Sequence, residues 1–178
     1  ALQKSRWGLM GFTDVGTKPI YNLEKLVQNP DKPILIVEGE KTADAASKLM
    51  PDYVVVSWMG GAQGVDKVDW SKLSSKIVSI WPDNDKPGIL AAQKIANHID
   101  CHNGFTGLVH IVDTEKLGLP KKWDLADEIP KDSLISHNNL ANIIGEARIS
   151  SEPIGKQLAI GQEKLGIEDK AMHNSIEM

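Results

Sequence analysis

The chain has 178 residues, 41% hydrophobic and 25% charged, with one cysteine and a formal charge of −4. This usage is ordinary for a globular protein and excludes collagen-like, mucin-like and wholly disordered chains. A single cysteine, Cys101, excludes an internal disulfide and a cysteine-rich zinc cluster, and fits a reducing, cytoplasmic setting. No apolar run approaches the ~20 residues of a membrane helix, so no membrane association is expected. The chain starts at Ala1 with no apolar signal core, as a piece of a longer protein would.

Residues 1–33 read as an irregular lead-in, with Trp7, Gly8, Gly11 and Gly16 and a short helix near Leu23–Val27. Residues 34–130 then alternate between two kinds of segment. Ile34–Val37, Tyr53–Trp58, Lys76–Trp81 and Leu108–Val112 are short β-rich apolar runs, the pattern of strands buried on both faces. Between them lie helical patterns. Lys41–Met50 carries Ala45, Ala46 and Leu49 on one face and is stopped by Pro51. Pro87–Ile99 opens with Pro in the first turn and spaces Leu90, Ala91, Lys94, Ile95 and His98 helically. Strand–helix alternation predicts an α/β domain over 34–130, with a central four-stranded parallel sheet and helices on both faces. Residues 131–178 are expected to be a helical extension, partly flexible. A helix is expected over 134–148, with weak helix or disorder beyond it.

In open α/β sheets, ligands bind beyond the carboxyl ends of the strands. Strand one is followed by Glu38-Gly39-Glu40-Lys41, and strand two by Met59-Gly60-Gly61-Ala62-Gln63-Gly64. Strand three is followed by Pro82-Asp83-Asn84-Asp85-Lys86-Pro87-Gly88. Strand four is followed by Asp113 and then Trp123-Asp124-Leu125-Ala126-Asp127-Glu128. Three of four strand ends carry carboxylates. Gathered on one edge these repel one another unless a cation sits among them, and an all-oxygen set suits Mg²⁺ or Mn²⁺. The plain alternative is a set of solvated strand ends.

Other readings of these motifs fare worse. An EF-hand loop starting at Asp83 would need an oxygen ligand at Pro87 and an acid at Lys94. A haloacid-dehalogenase-like phosphatase places its Asp-x-Asp on the first strand and wants Thr or Val where Pro87 stands. The glycines at 60–64 lack the Gly-Lys-Ser/Thr ending of a Walker loop. They make either a tight turn or an approach for phosphate to backbone amides.

Taken together, Ile36-Val37-Glu38-Gly39, the glycine turn, Asp83-x-Asp85-x-x-Gly88 and the later acidic stretch resemble the Toprim domain. That is the catalytic fold of bacterial-type DNA primases and of type IA and type II topoisomerases. Val37 to Ala46, Trp81 to Gly88, Trp123 to Asp127 and the lead-in Pro19-Ile20-Tyr21-Asn22-Leu23 look most like the primase domains of phage and plasmid primase–helicase proteins. The resemblance covers about residues 19–130.

The resemblance implies Glu38 as general acid/base in nucleotidyl transfer, and Asp83, Asp85 and Glu38 as the metal-binding set. Asp124 and Asp127 are candidate further metal ligands, since they fall where primases have a further acidic motif, at a spacing one residue longer. Lys41, Lys86, Gly60 and Gly61 are candidates for holding phosphate, against a reading of the lysines as solvated. The implied activity is Mg²⁺- or Mn²⁺-dependent primer synthesis, with single-stranded DNA template and nucleotides as partners and a helicase in cis or trans. A Toprim nuclease is one alternative. A non-catalytic module binding nucleic acid, nucleotides or replication proteins is another. A topoisomerase needs a tyrosine nucleophile, and Tyr21 and Tyr53, the two tyrosines present, read as packing residues.

Charge distribution bears on these readings. Residues 1–33 carry five basic and three acidic side chains, residues 34–130 ten and fourteen, and residues 131–178 five and seven. Glu38, Asp83, Asp85, Asp124 and Asp127 are five of the central fourteen, so the acidity is concentrated in the candidate site. No basic groove for a template is evident. His98 and His110 read as capping or packing residues. The tryptophans read as packing, with nucleobase stacking a minority reading for Trp58 and Trp81.

Overall fold

A computed structural model describes residues 16–73, 76–100 and 108–150. Trp7, Gly8, Gly11, Cys101 and the segment 151–178 lie outside the described residues. The described elements run α1 (Leu23–Gln28), β1 (Ile34–Glu38), α2 (Glu40–Leu49), β2 (Val54–Trp58), β3 (Ile77–Trp81), α3 (Lys86–Asp100), β4 (Leu108–Ile111) and α4 (Leu140–Ser150). Short 3-10 turns occupy Gly61–Lys67, Trp70–Leu73 and Thr114–Leu117.

The four strands form one parallel sheet in the order β2-β1-β3-β4. The expected sheet is therefore present, each strand within a residue of its apolar run. Even and odd positions of the strands feed two cores. Ile34, Ile36, Val54, Val56, Val78, Ile80 and Val109 pack with Ala91, Ala92, Ile95, Ala96 and Ile99 of α3. Leu35, Val37, Val55 and Trp81 pack with Ala43 and Ala46 of α2 and with Leu140 and Ile144 of α4. Helices thus cover both faces, and period-2 alternation between two buried faces explains why each strand is apolar throughout.

The crossover through α2 runs outward from β1 to the edge strand β2, whereas β3 and β4 lie on β1's other side. The direction of winding reverses at β1, so the β1/β3 boundary is a topological switch point, where open α/β sheets leave a crevice beyond their carboxyl ends. Val37 of β1 is in register with Trp81 of β3. Glu38 and the Pro82-Asp83 segment are therefore delivered to one edge by backbone pairing alone.

Two elements differ in detail from the sequence expectation. The helix expected from residue 134 begins at Leu140. Before it, Asn139 accepts a hydrogen bond from Ser136 N–H at 2.7 Å through Oδ1 and donates through Nδ2 to Leu134 O at 3.0 Å. This local side-chain bonding holds Leu134–Asn139 in turns and defers the helix. In the lead-in, Tyr21 N–H donates to Ser57 O at 2.9 Å and buried Asn22 Nδ2 donates to Val55 O at 3.1 Å. Ile20 and Leu26 join the α3-side core.

Candidate metal and nucleotide site

Each strand end presents its residues differently. Glu38 closes β1 and is half-buried. Asp83 is half-buried two residues beyond β3. Asp85 stands immediately before α3 and caps it, its Oδ1 accepting from Gly88 N–H at 2.9 Å. A side-chain oxygen on the third N–H of a helix is a standard N-cap bond. Asp85 therefore has a structural duty, and its other carboxylate oxygen is the one left for a ligand.

Gly88 explains the final position of the Asp83-x-Asp85-x-x-Gly88 run. A Cβ there would lie 2.7 Å from Asp83 O, 3.0 Å from Asp83 Cβ and 3.1 Å from Asp83 N. The first turn of α3 is folded onto the Asp83 backbone, and only glycine admits that approach.

Asn84, between the two aspartates, ties the β3 loop to the later acidic stretch. Its Nδ2 donates to Leu119 O (2.7 Å) and Pro120 O (3.1 Å). Its N–H donates to Trp123 O (3.1 Å), and its carbonyl accepts from Lys122 N–H (3.0 Å). This clamp sets Asp124 and Asp127 facing Asp83. Their loop is closed locally: Asp124 Oδ1 accepts from Ala126 N–H at 2.6 Å and Asp127 Oδ2 from Asp124 N–H at 3.2 Å. Trp123 anchors it, donating from Nε1 to Glu128 O at 3.0 Å and packing on Trp81 with ring centroids 6.4 Å apart.

Electrostatics shows the result. The Asp83 carboxyl is pushed up to about 7, first by burial and then by the negative charges of Glu38, Asp124, Asp85 and Asp127. Glu38 is raised too, by burial and then by Asp85. The other four acids singled out in the sequence thus all act on Asp83. Among the described residues, however, no three are spaced as a ready-made ligand set. Asp113, after β4, is exposed and pairs with Lys116 at 2.7 Å, away from this group.

The glycine turn after β2 lies against Glu38. Gly60 and Gly61 have φ of +94° and +58°, in the left-handed region. A Cβ at Gly61 would stand 3.2 Å from Glu38 Oε1. Lys41 and Lys86 are exposed in the first turns of α2 and α3. Neither forms an ion pair among the described residues.

Several bland readings agree with the structure and one functional reading does not. Trp58 and Trp81 are 3% and 2% exposed, so neither offers a face to a base. Trp58 is edge-on to Trp70 and donates to Gly61 O at 2.7 Å, helping to fix the glycine turn. His98 contacts Asp66 at 3.0 Å, and His110 is buried in β4. Tyr21 donates its hydroxyl to Asp44 Oδ1 at 3.0 Å. That bond, with the nearby acids, raises the phenol's pKa, the opposite of what an activated nucleophile needs. The roles of Asp85 as a cap and Asn84 as a clamp escape sequence reading. The N-cap position of Asp85, just before a Pro-Gly helix start, is a signal that could have found the first.

No helix of the described residues is long and apolar enough to cross a membrane. Residues 33–114 match the family model described as the Toprim domain, a stretch that includes Glu38, Asp83 and Asp85 and stops before Asp124. No curated protein matches the chain. Among solved structures it is similar to the DnaG catalytic core, at 18% identity and a TM-score of 0.52, with 82% of this chain and 44% of that one covered. It is also similar to the DnaG primase catalytic domain bound to single-stranded DNA, at 17% identity and a TM-score of 0.51, covering 82% of this chain and 43% of that one. The chain thus spans less than half the length of the structures it matches. Residues 33–114 are thus similar to the Toprim domain, within a wider fold similar to that of the DnaG catalytic core.

Proposed function

We propose that the chain is the catalytic part of a primase-type nucleotidyltransferase, joining ribonucleotides on a single-stranded DNA template in a phage or plasmid primase–helicase protein. The observation that carries this reading is the group of five carboxylates at the switch point, expressed in the elevation of Asp83 to about 7. Isolated from a cation, such a group opposes its own ionisation. The donors are all oxygen, which fits Mg²⁺ or Mn²⁺. Asp83 and the free oxygen of Asp85 would hold the ion, with Asp124 and Asp127 facing it and Glu38 alongside. When bound, a divalent ion neutralises phosphate charge in such transfers.

The chain's own residues divide the remaining work. Glu38 is the proton acceptor for the attacking 3′-hydroxyl. Its raised pKa brings a carboxylate closer to the pH at which a general base works. Gly61 adds no side chain beside Glu38 Oε1, so that a reacting group can approach it. Gly88 and Asn84 fix where Asp83 stands.

The likeness to the DnaG domain solved with single-stranded DNA supports a nucleic-acid substrate. Template-holding and helicase functions belong to other parts of a longer protein or to partner chains. The test is primer synthesis: Mn²⁺ or Mg²⁺ titrated into the chain with single-stranded DNA and ribonucleoside triphosphates. Short RNA products that vanish in Glu38→Gln support the reading. Cleaved DNA without RNA product would make the chain a Toprim nuclease. A non-catalytic binding module has one observation in its favour, the lack of a preassembled ligand set among the described residues. Nucleotide or DNA binding with neither product, in the presence of metal, would establish it.

A further inference from the structure

The glycine turn after β2 is bracketed by opposite charges. On one side a Cβ at Gly61 would meet Glu38 Oε1; on the other, a Cβ at Gly60 would lie 2.9 Å from Lys18 Nζ. The lysine comes from the lead-in segment, outside the strand–helix alternation, so nothing in the motif spacing points to it. Its position is nonetheless built. Lys18 N–H donates to Lys67 O at 2.6 Å, and Lys18 makes a parallel bridge with Val68. Next to it Ile20 is buried, and Tyr21 and Asn22 bond to the backbone of β2. The lead-in is stitched along the free edge of the sheet, and this stitching delivers one ammonium to the turn at the carboxyl end of β2.

That ammonium is not committed to a carboxylate. Lys18 has no ion pair among the described residues. It is also absent from the influences on Glu38, which is acted on by burial and Asp85. Unlike Lys41 and Lys86, Lys18 is partly buried, so its position costs less entropy to hold than that of a fully solvated lysine. A substrate phosphate brought to this edge meets five carboxylates, and an uncommitted cation beside side-chain-free backbone is what it needs there.

We propose that Lys18 Nζ, together with the Gly60–Gly61 turn, receives a phosphate group of the incoming nucleoside triphosphate. This rests on the nucleotidyl-transfer reading of the site. It makes the lead-in part of the nucleotide site.

The test uses the full chain with Lys18→Met, which keeps the apolar stem and removes the charge, and Lys18→Arg, which keeps the charge. Inorganic tripolyphosphate binding is measured calorimetrically with Mn²⁺ present, and Mn²⁺ binding alone by electron paramagnetic resonance. Lys18→Met should weaken tripolyphosphate binding about tenfold, the worth of one charge-assisted hydrogen bond. Lys18→Arg should stay within about threefold of the unaltered chain, and Mn²⁺ binding should be the same in all three. Unchanged affinity in Lys18→Met, or equal losses in both variants, overturns the assignment. A chain that binds Mn²⁺ but no tripolyphosphate overturns it alone, whereas one that binds no Mn²⁺ overturns the metal reading and this assignment with it. ATP should displace the bound tripolyphosphate. Displacement by an oligodeoxynucleotide and not by ATP would give the position to the DNA backbone and overturn the nucleotide assignment.

Discussion

Replacing Asp83 by Asn should stabilise the metal-free protein at alkaline pH and leave it nearly unchanged in acid. The fold raises this carboxyl from an ordinary 3.8 to about 7, so the native state binds the proton more tightly than the unfolded chain does. Its contribution is therefore fully favourable below about pH 4 and is lost as pH rises through 7. The whole displacement corresponds to roughly 4 kcal/mol at 1.36 kcal/mol per pKa unit. Asp83 is only partly buried, and solvent screening reduces this to about 1–2 kcal/mol. Asn keeps the shape and removes the charge, so it recovers that amount only where Asp83 would be ionised. For a domain of this size the expected gain is roughly 3–6 °C in Tm at pH 8 with a chelator present, and almost none at pH 4.5. Mn²⁺ at pH 8 should reverse the order, stabilising the unaltered chain by mass action and the variant much less. Thermal melts at the two pH values, with and without Mn²⁺, provide the test. An Asp83→Asn variant whose stability relative to the unaltered chain does not change with pH would refute the argument from crowded carboxylates.

Other perturbations separate the roles of neighbouring residues. Glu38→Gln should bind Mn²⁺ within a fewfold of the unaltered chain and make no nucleotide product, read by the same resonance titration and a primer assay; lost metal binding would make Glu38 a principal ligand. Gly88→Ala should destabilise by about 1–3 kcal/mol in denaturant melts, because the new methyl meets Asp83 backbone rather than a side chain that can turn away. Asn84→Ala should cost about 1–2 kcal/mol by leaving the Leu119 and Pro120 carbonyls short of a donor. By loosening Asp124 and Asp127 it should also lower the Asp83 pKa, measurable by carboxyl NMR titration.

The contrast between what was legible in the sequence and what was not has a physical basis. Strands buried on both faces show as unbroken apolar runs, so β1 to β4 could be placed to within a residue. A parallel sheet sends every strand's carboxyl end to one edge, so Glu38 and Asp83 could be grouped without knowing any distance. Asn84 could not be read, because its side-chain partners lie 35 and 36 residues away and are backbone carbonyls, which carry no residue-type signature. Asp85 was legible as an acid beside the site but not as a helix cap, since the same side chain serves both purposes. The stacking reading of Trp58 and Trp81 failed because flanking a site in sequence does not expose a ring. Both belong to strand ends whose side chains turn into the two cores.

The same reasoning indicates where the site's precision comes from. Glu38, Asp83 and the glycine turn are placed by strand ends, and strand positions are fixed by the two cores. Asp124 and Asp127 lie beyond the matched Toprim stretch, on a loop tied to the Asp83 segment by Asn84 and the tryptophan pair and anchored in the core by Leu125. The sheet-borne carboxylates should therefore keep their geometry under mild destabilisation, whereas the loop-borne pair should detach first. Local opening follows the elements with fewest buried contacts. Amide exchange at residues 119–128 should accordingly be faster than in β1 and β3, and bound Mn²⁺ should slow it. Slowing in that loop would place Asp124 or Asp127 at the ion. Exchange unchanged by Mn²⁺ there, with slowing at Glu38 and Asp83 alone, would confine the metal to the sheet edge and leave the loop as its electrostatic surroundings.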